Sequence, residues 1–432
     1  MLSIERFREE PEKIKESEER REKDSEKVDR VVELDRKWRE TLQKADDLRH
    51  ERNVVSDKIA ELKKEGRDAE EEIKRMKQVN QEIEDLEEKE KQLKEERDRV
   101  RYEVGNILHS SVPKGEDEED NKEVRKYGEK PDKGFEVVPH ADIVKQLDLA
   151  DTEKAGEVTG SRFYYLKKDL VMLNLALQKW ALEKLIEEGY TPMQTPYILG
   201  HEAMSAAAEL EDFEDQLYKI EGEDWYLIAT SEQTLASYHF DEILEPEDLP
   251  MKYTGLSTNF RQEAGSHGKD TKGIFRVHQF EKVEQYIFCK PEKSWDIFED
   301  LMANVEELFQ DLNLHYRIVN VCTGDMNDNA AKKYDLEAWF PAQDRYRELV
   351  SCSNCTSYQA RKLKVRMRDQ ENDNPTVHTL NATGVATQRT MCAIMEQNQL
   401  EDGRIKIPEV LQDYMGGQEY IEPEEEEEEE KE

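Results

Sequence analysis

The chain is short of cysteine, of glycine in its first quarter, of positive charge and of long apolar runs. Each shortage excludes something. Five cysteines in 432 residues, an odd number, argue against a disulfide framework and for free thiols in a reducing compartment. The start carries no secretory leader, so a cytoplasmic location is expected. No uninterrupted apolar stretch is long enough to span a bilayer, and no membrane partner is expected. Lys and Arg number 64 against 102 Asp and Glu, a formal net charge of −38. Such acidity excludes a general affinity for nucleic acid, DNA included, because phosphate contacts need cations. A nucleic-acid partner therefore requires Lys and Arg gathered on particular surfaces. The acidic excess also suits solvation at high salt, a question that composition leaves open.

Up to about Val112, glycine is confined to Gly66 and Gly105 and proline to Pro11, while Glu, Lys and Arg are dense. Leu2, Ile4 and Phe7 form a small apolar face. Val31, Leu34, Trp38, Leu42, Ala45, Leu48, Val55, Ile59 and Leu62 then recur mostly every three or four residues. Ile73, Met76, Ile83, Leu86, Leu93, Val100, Val104 and Ile107 continue the pattern, interrupted by Asn80, Glu90 and Arg97. Glu65-Gly66-Arg67-Asp68 supplies a glycine to stop one helix and an aspartate to cap the next. Two long helices joined by so short a turn pack antiparallel, as a coiled-coil hairpin. Alone, such an arm reads first as a dimerisation or spacer element. Residues 113–134 are charged, hold Pro and Gly and lack apolar periodicity, which reads as a flexible linker. A helix Asp169–Glu188 with a broad apolar stripe follows.

The most informative stretch is Phe260–Gln285, FRQEAGSHGKDTKGIFRVHQFEKVEQ. Runs on either side of it read as strands, and the glycines and lysines between them suit a loop near phosphate. Arg261 and Glu263, two apart, are expected on one strand face. This wording resembles motif 2 of class II aminoacyl-tRNA synthetases, in their seryl-tRNA synthetase branch. The helix before Gly189, with Pro196 beyond it, resembles motif 1. TLNATGVATQRTMCAIM (Thr379–Met395) resembles motif 3, with Gln388 where bacterial members carry Gly.

The resemblance implies an α+β fold: an antiparallel-sheet class II catalytic domain behind an N-terminal helical hairpin. The expected division is a tRNA-binding arm 1–112, the linker 113–134, a catalytic domain 135–421 and a disordered acidic tail 422–432. It implies a cytoplasmic homodimer that joins L-serine to tRNA(Ser) with ATP and Mg²⁺, and serylation of tRNA(Sec) as a family property. Lys63, Lys64, Arg67, Lys74, Arg75 and Lys77 stand near the turn of the arm. Thr230, Ser231 and Glu232, with Arg261, Glu284 and Thr383, would bind serine. Arg261, Gln262, Glu263, Arg276, Val277, Phe280, Glu348, Leu349, Val350, Ser351 and Arg389 would bind ATP. Arg261 and Arg389 would be catalytic, and Glu348 and Ser351 would hold Mg²⁺. His278 invites a general-base role that the reaction does not need, since the serine carboxylate is already ionised. Cys352 and Cys355 form a CxxC with no partner pair, which reads as structural rather than zinc-binding. Two rivals are a ligase that loads a carrier protein and an inactive structural dimer. The first would lack the arm, and the second would have lost Arg261, Glu263, Glu348 or Arg389.

Overall fold

In the computed structural model the described residues are 1–208, 214–264, 270, 272–369 and 373–423. Gly265, Gly268 and Lys269 of the motif 2 loop, and tail residues 424–432, lie outside them. The chain divides into two compact units, Met1–Ile107 and Leu108–Glu432.

In the first unit, short helices Ile4–Glu9 and Pro11–Arg20 precede α1 (Glu26–Lys64) and α2 (Glu70–Tyr102). At about 1.5 Å per residue, the 39 residues of α1 reach roughly 58 Å. Gly66 turns the chain at φ +69°, a conformation that L side chains avoid. The Asp68 carboxylate accepts the Glu70 N–H at 3.0 Å. The seam is thin. Val28, Val31, Leu34 and Ala45 on α1 and Val79 and Ile83 on α2 are buried, but Val55, Ile59 and Leu86 are only half-buried. Ion pairs such as Arg49–Glu87 (2.8 Å) and Lys58–Glu72 (2.7 Å) stitch the two helices, each contributing under about 1 kcal/mol in water. The interruption expected at Arg97 has a different meaning here. Its guanidinium is buried, lies 3.1 Å from Asp35 and stacks 4.9 Å from Trp38. Asp35, itself buried, also takes Arg8 (2.8 Å) and Arg39 (3.0 Å). Burial resists its charge, but Arg8 and Arg39 hold its carboxyl below the usual range.

The second unit is built on one eight-stranded sheet. In chain order its strands are β1 (Lys122–Tyr127), β2 (Thr191–Gln194), β3 (Met251–Phe260), β4 (Gln279–Cys289), β5 (Tyr316–Asn320), β6 (Lys332–Phe340), β7 (Arg345–Thr356) and β8 (His378–Ala386). They lie in the order β1-β5-β6-β7-β8-β4-β3-β2. Every pairing is antiparallel except β2 with β3. Three helices, α3 (Lys168–Glu187), α4 (Ser294–Asp311) and α5 (Thr387–Gln397), cover one face. There Leu173, Leu177, Phe298, Val305, Met391 and Ile394 bury against Val283, Ile287, Leu336 and Leu380. Each such side chain contributes about 1.5–3 kcal/mol. Strand alternation sends the intervening residues to the other face, where the short helix Ser231–Ala236 packs on β3 and β4.

The expected linker is the main correction. Residues 113–121 are docked, with Thr323 N–H on Pro113 O (3.0 Å), Gly324 N–H on Gly115 O (3.0 Å) and Cys322 N–H on Asn121 Oδ1 (2.8 Å). The backbones approach so closely that a Cβ on Gly324 would lie 2.2 Å from the Glu116 carbonyl oxygen. Lys122–Tyr127 then joins the sheet as β1, and Arg125 clasps the Glu306 carboxylate of α4 at 2.8 Å. The arm also stops earlier than Val112. Leu108 and Val112 are buried with Val321, Met326 and Ala330 of the second unit. Among the described residues no helix is long and apolar enough to cross a membrane. All five cysteines are buried and outside any disulfide.

Candidate active site

Strands β3 and β4 pair as far as Phe260 opposite Gln279. One residue further on, Arg261 N–H donates to His278 O (2.9 Å) and His278 Nδ1 meets Arg261 O (2.7 Å). His278 thus braces the arginine's main chain. The Arg261 Nε donates to Ala229 O at 3.2 Å, and its guanidinium lies 5.1 Å from the Phe280 ring. Arg389 opens helix α5, three residues after β8 ends. Its Nη1 lies 3.1 Å from Glu348 O and 3.4 Å from Glu348 Oε2. Its guanidinium sits 5.2 Å from the Phe275 ring, which Arg347 covers at 4.1 Å. Burial opposes the Glu348 charge, yet Arg389, Lys333 and Arg261 hold its carboxyl down at about 2. Burial lowers the Arg261 pKa, and the nearby charge of Arg389 lowers it further. Two arginines from distant parts of the chain therefore share one cleft.

The motif 2 loop is held by charge. Arg276 pairs with Glu263 (2.9 Å) and Asp270 (3.5 Å), and Asp270 also pairs with Arg347 (2.5 Å). The strand-face argument for Glu263 fails, because β3 ends at Phe260 and Glu263 takes φ +51°. Glu263 reaches the cleft through a turn instead. Gly273, at φ +73°, lies so close to His140 and Ala141 that a Cβ would meet them at 3.1–3.2 Å. Gln262 is committed elsewhere, its N–H to Gln216 O and its Nε2 to Leu217 O. Val277, Leu349 and Val350 have buried side chains, so only their main chains are available to a ligand.

Beside Arg261, Thr230 caps the helix Ser231–Ala236 by accepting the Glu232 N–H (3.1 Å). Ser231 is fully buried with its hydroxyl on Gly255 O (3.4 Å), and Gly255 stands opposite Glu284 in the sheet. Glu232 Oε1 accepts from Gln359 (3.1 Å) and Asn381 (3.2 Å). Burial, then the charge of Glu284, push its carboxyl up to about 7. On β4, Phe280, Lys282 and Glu284 share a face by alternation. Lys282 Nζ lies 2.5 Å from Glu284 Oε2, and Thr383 of β8 donates to that oxygen at 3.4 Å. Lys282 was not among the expected residues.

Ser351 donates to Glu348 Oε1 (3.0 Å). Directly opposite Ser351 on β6 stands Asp335, whose Oδ1 is buried without a hydrogen-bond partner. Burial drives the Asp335 carboxyl up to about 7, against the pull of Lys333 and with the push of Glu348. Glu348, Ser351 and Asp335 make an all-oxygen set suited to a hard cation such as Mg²⁺. Among the described residues, no group of three or more His, Cys, Asp and Glu converges to hold an ion alone. Mg²⁺ commonly takes one or two carboxylates and completes its shell with phosphate and water.

Two family models match the chain: the seryl-tRNA synthetase N-terminal domain over residues 1–108, and the class II tRNA synthetase core domain (G, H, P, S and T) over 214–398. The serine–tRNA ligase of Methanosphaera stadtmanae is 54% identical over 327 residues, 76% of this chain and 77% of its own length. The chain belongs to the seryl-tRNA synthetase family. The crystal structure of the Pyrococcus horikoshii seryl-tRNA synthetase complexed with ATP superposes with a TM-score of 0.95 at 43% identity, covering 98% of this chain and 100% of that one. The cytoplasmic serine–tRNA ligase of Naegleria fowleri, in complex with AMP, gives 0.90 at 43% identity, covering 98% and 99%. In this member of the family the glutamine before the motif 3 arginine has a definite place. Gln388 Oε1 accepts the Glu281 N–H at 2.9 Å, and its Nε2 donates to the Glu281 carboxylate.

Proposed function

We propose that the chain activates L-serine and charges tRNA(Ser). The serine carboxylate attacks the α-phosphorus of ATP, a P–O bond to the β-phosphate breaks, and seryl-adenylate and pyrophosphate form. The 2′- or 3′-hydroxyl of the terminal adenosine of tRNA then attacks the acyl carbon, and AMP leaves. The observation that carries this reading is the convergence of Arg261 and Arg389 on the ground held by Glu348. Negative charge accumulates on the pentacoordinate α-phosphorus, and fixed cations stabilise it more than they stabilise the ground state. Arg261 is assigned to the α-phosphate and serine carboxylate, Arg389 to the γ-phosphate, and Phe280 to the adenine ring. Glu263 is assigned to the adenine amine and Arg276 to the γ-phosphate, which requires their mutual ion pair to open on binding. Glu232 and Thr230 would receive the serine ammonium, and Glu284 with Thr383 its hydroxyl. Glu348 and Ser351, with Asp335 beside them, would hold Mg²⁺, which neutralises phosphate charge when bound.

The arm is assigned to tRNA. Lys63, Lys64, Lys74 and Lys77 near its turn are exposed, whereas Arg67 and Arg75 are paired with Glu65 and Glu51. These lysines are available to phosphates. A homodimer is supported by Val171, Met172 and Leu175 on α3, 37%, 46% and 52% exposed, an apolar stripe at helical spacing. Five cysteines outside any disulfide suit a reducing cytoplasm.

Pyrophosphate exchange with serine, alanine and glycine, followed by charging of total tRNA, tests the proposal. Alanine would leave Glu284 and Thr383 without their partner, so we expect serine to be preferred by about 10⁴-fold. Equal exchange with alanine, or adenylate formed without tRNA charging, defeats it.

A further inference from the structure

By alternation along β4, Glu281 points away from the substrate side, toward helices α3 and α5. It touches no expected ligand. Its carboxylate nevertheless gathers donors from three elements. Gln388 donates from α5, and the side chains of Asn174 on α3 and Tyr164 ahead of it also hydrogen-bond Glu281. The grip on Gln388 is two-ended, since the Glu281 N–H donates to Gln388 Oε1 at 2.9 Å. Gln388 is buried, and Thr387, fully buried beside it, has its hydroxyl 3.1 Å from Gln388 Oε1 and 3.4 Å from Glu281 O. Strand β8 leaves the sheet at this point, Ala386 being the last residue paired, opposite Lys282. The next residue after Gln388 is Arg389. At its far end α5 is fixed by another buried carboxylate, Glu396, which takes His140 N–H (3.1 Å), His140 Nδ1 (2.7 Å) and Ala342 N–H (3.2 Å).

We propose that Glu281 is a positioning residue for Arg389: by clasping Gln388 it sets the first turn of α5 and so the guanidinium that meets ATP. The inference rests on the reading of Arg389 as an ATP contact. A side chain held this way loses reach rather than charge when its clasp is removed, and a shift near 1 Å costs a reacting geometry about a hundredfold. The isosteric glutamine is a natural rescue. It keeps one acceptor for Gln388, and the Asn174 amide, whose Oδ1 has no partner, can turn to accept from the new NH₂.

The test uses the full-length enzyme and pyrophosphate exchange, with thermal melting as the control for folding. Glu281→Ala should lower kcat/KM for ATP about tenfold to a hundredfold while the KM for serine moves less than about twofold. Glu281→Gln should recover most of that loss. In an Arg389→Ala background, Glu281→Ala should add almost nothing, because its effect runs through the missing guanidinium. An equal loss in that background, or a lower melting temperature with unchanged kcat/KM for ATP, overturns the proposal. If Glu281→Ala does not fold, Gln388→Ala opens the same clasp from the other side and is judged by the same comparisons. Arg389→Ala with undiminished exchange would instead refute the reading of the ATP site itself, a result distinguishable from failure of the clasp.

Discussion

At the scale of single residues, the proposed amino-acid subsite holds two carboxyls, Glu232 and Glu284, that burial brings under each other's influence. Glu232 titrates near 7 because desolvation and the charge of Glu284 both favour its neutral form. An incoming ammonium needs the ionised form, so serine affinity should rise with pH and level off above about 7. Well below 7, kcat/KM for serine should change about tenfold per pH unit. Glu232→Gln should flatten that profile and raise the KM. A wild-type profile flat from pH 6 to 8 would contradict the assignment. The linkage to folding has the opposite slope. The folded state keeps this proton from the ordinary 4.5 up to about 7, so the group's contribution to stability falls as pH rises through that window. That Arg261, Glu263, Arg276, Glu348 and Arg389 belong to one candidate site was legible because they stand in a long and specific pattern, and the structure joins Arg276 to Glu263 and Arg389 to Glu348. The burial of Ser231 was not legible, because a triplet of polar residues does not say which hydroxyl a helix start turns inward. Lys282 escaped notice because a lysine two residues before a glutamate on a strand usually marks a solvent-facing pair.

At the scale of elements, the hairpin is a thin apolar seam whose base is closed by one buried charge cluster. Removing Asp35 would take the shared carboxylate from Arg8, Arg39 and the buried Arg97 at once and cost up to about 3–5 kcal/mol. A clean test of the arm must therefore cut beyond them. Replacing residues 50–82 with a short turn leaves that cluster intact and removes the distal lysines. We expect tRNA charging to fall by at least a hundredfold, with serine-dependent exchange within about twofold of the full chain. Unchanged charging would release the arm from any role with tRNA. Helix periodicity foretold both helices to within a few residues, because their i, i+3, i+4 apolar steps and the Gly66 turn are strong local signals. It could not foretell that Arg97 would serve as a core residue, since a charged side chain at a seam position looks like a gap until its partner, far off in sequence, is known. Strand β1 was illegible for a related reason: only one of its edges is paired, and KEVRKY carries the charge that edge strands use to avoid sticking.

Across the whole molecule, a net charge of −38 means that two copies repel one another at any distance shorter than the screening length. In the proposed homodimer the stripe of Val171, Met172 and Leu175 has to overcome that repulsion. Replacing Met172 and Leu175 together by Asp should convert the assembly to monomers, measured by light scattering after size exclusion, while the melting temperature of each copy changes little. Lowering the salt concentration should loosen the wild-type assembly in the same direction. A dimer that survives the double substitution would place the interface elsewhere.

The pinned segment before residue 135 bears on how the molecule can be dissected. A fragment begun at Phe135, where composition alone suggests a clean start, would forfeit the Gly115–Gly324 crossing and leave Tyr316–Asn320 as the outermost strand. Its bare amide and carbonyl groups would then template pairing with neighbouring molecules. Solubility of any excised catalytic piece thus depends on a stretch that supplies none of the residues assigned to serine or nucleotide.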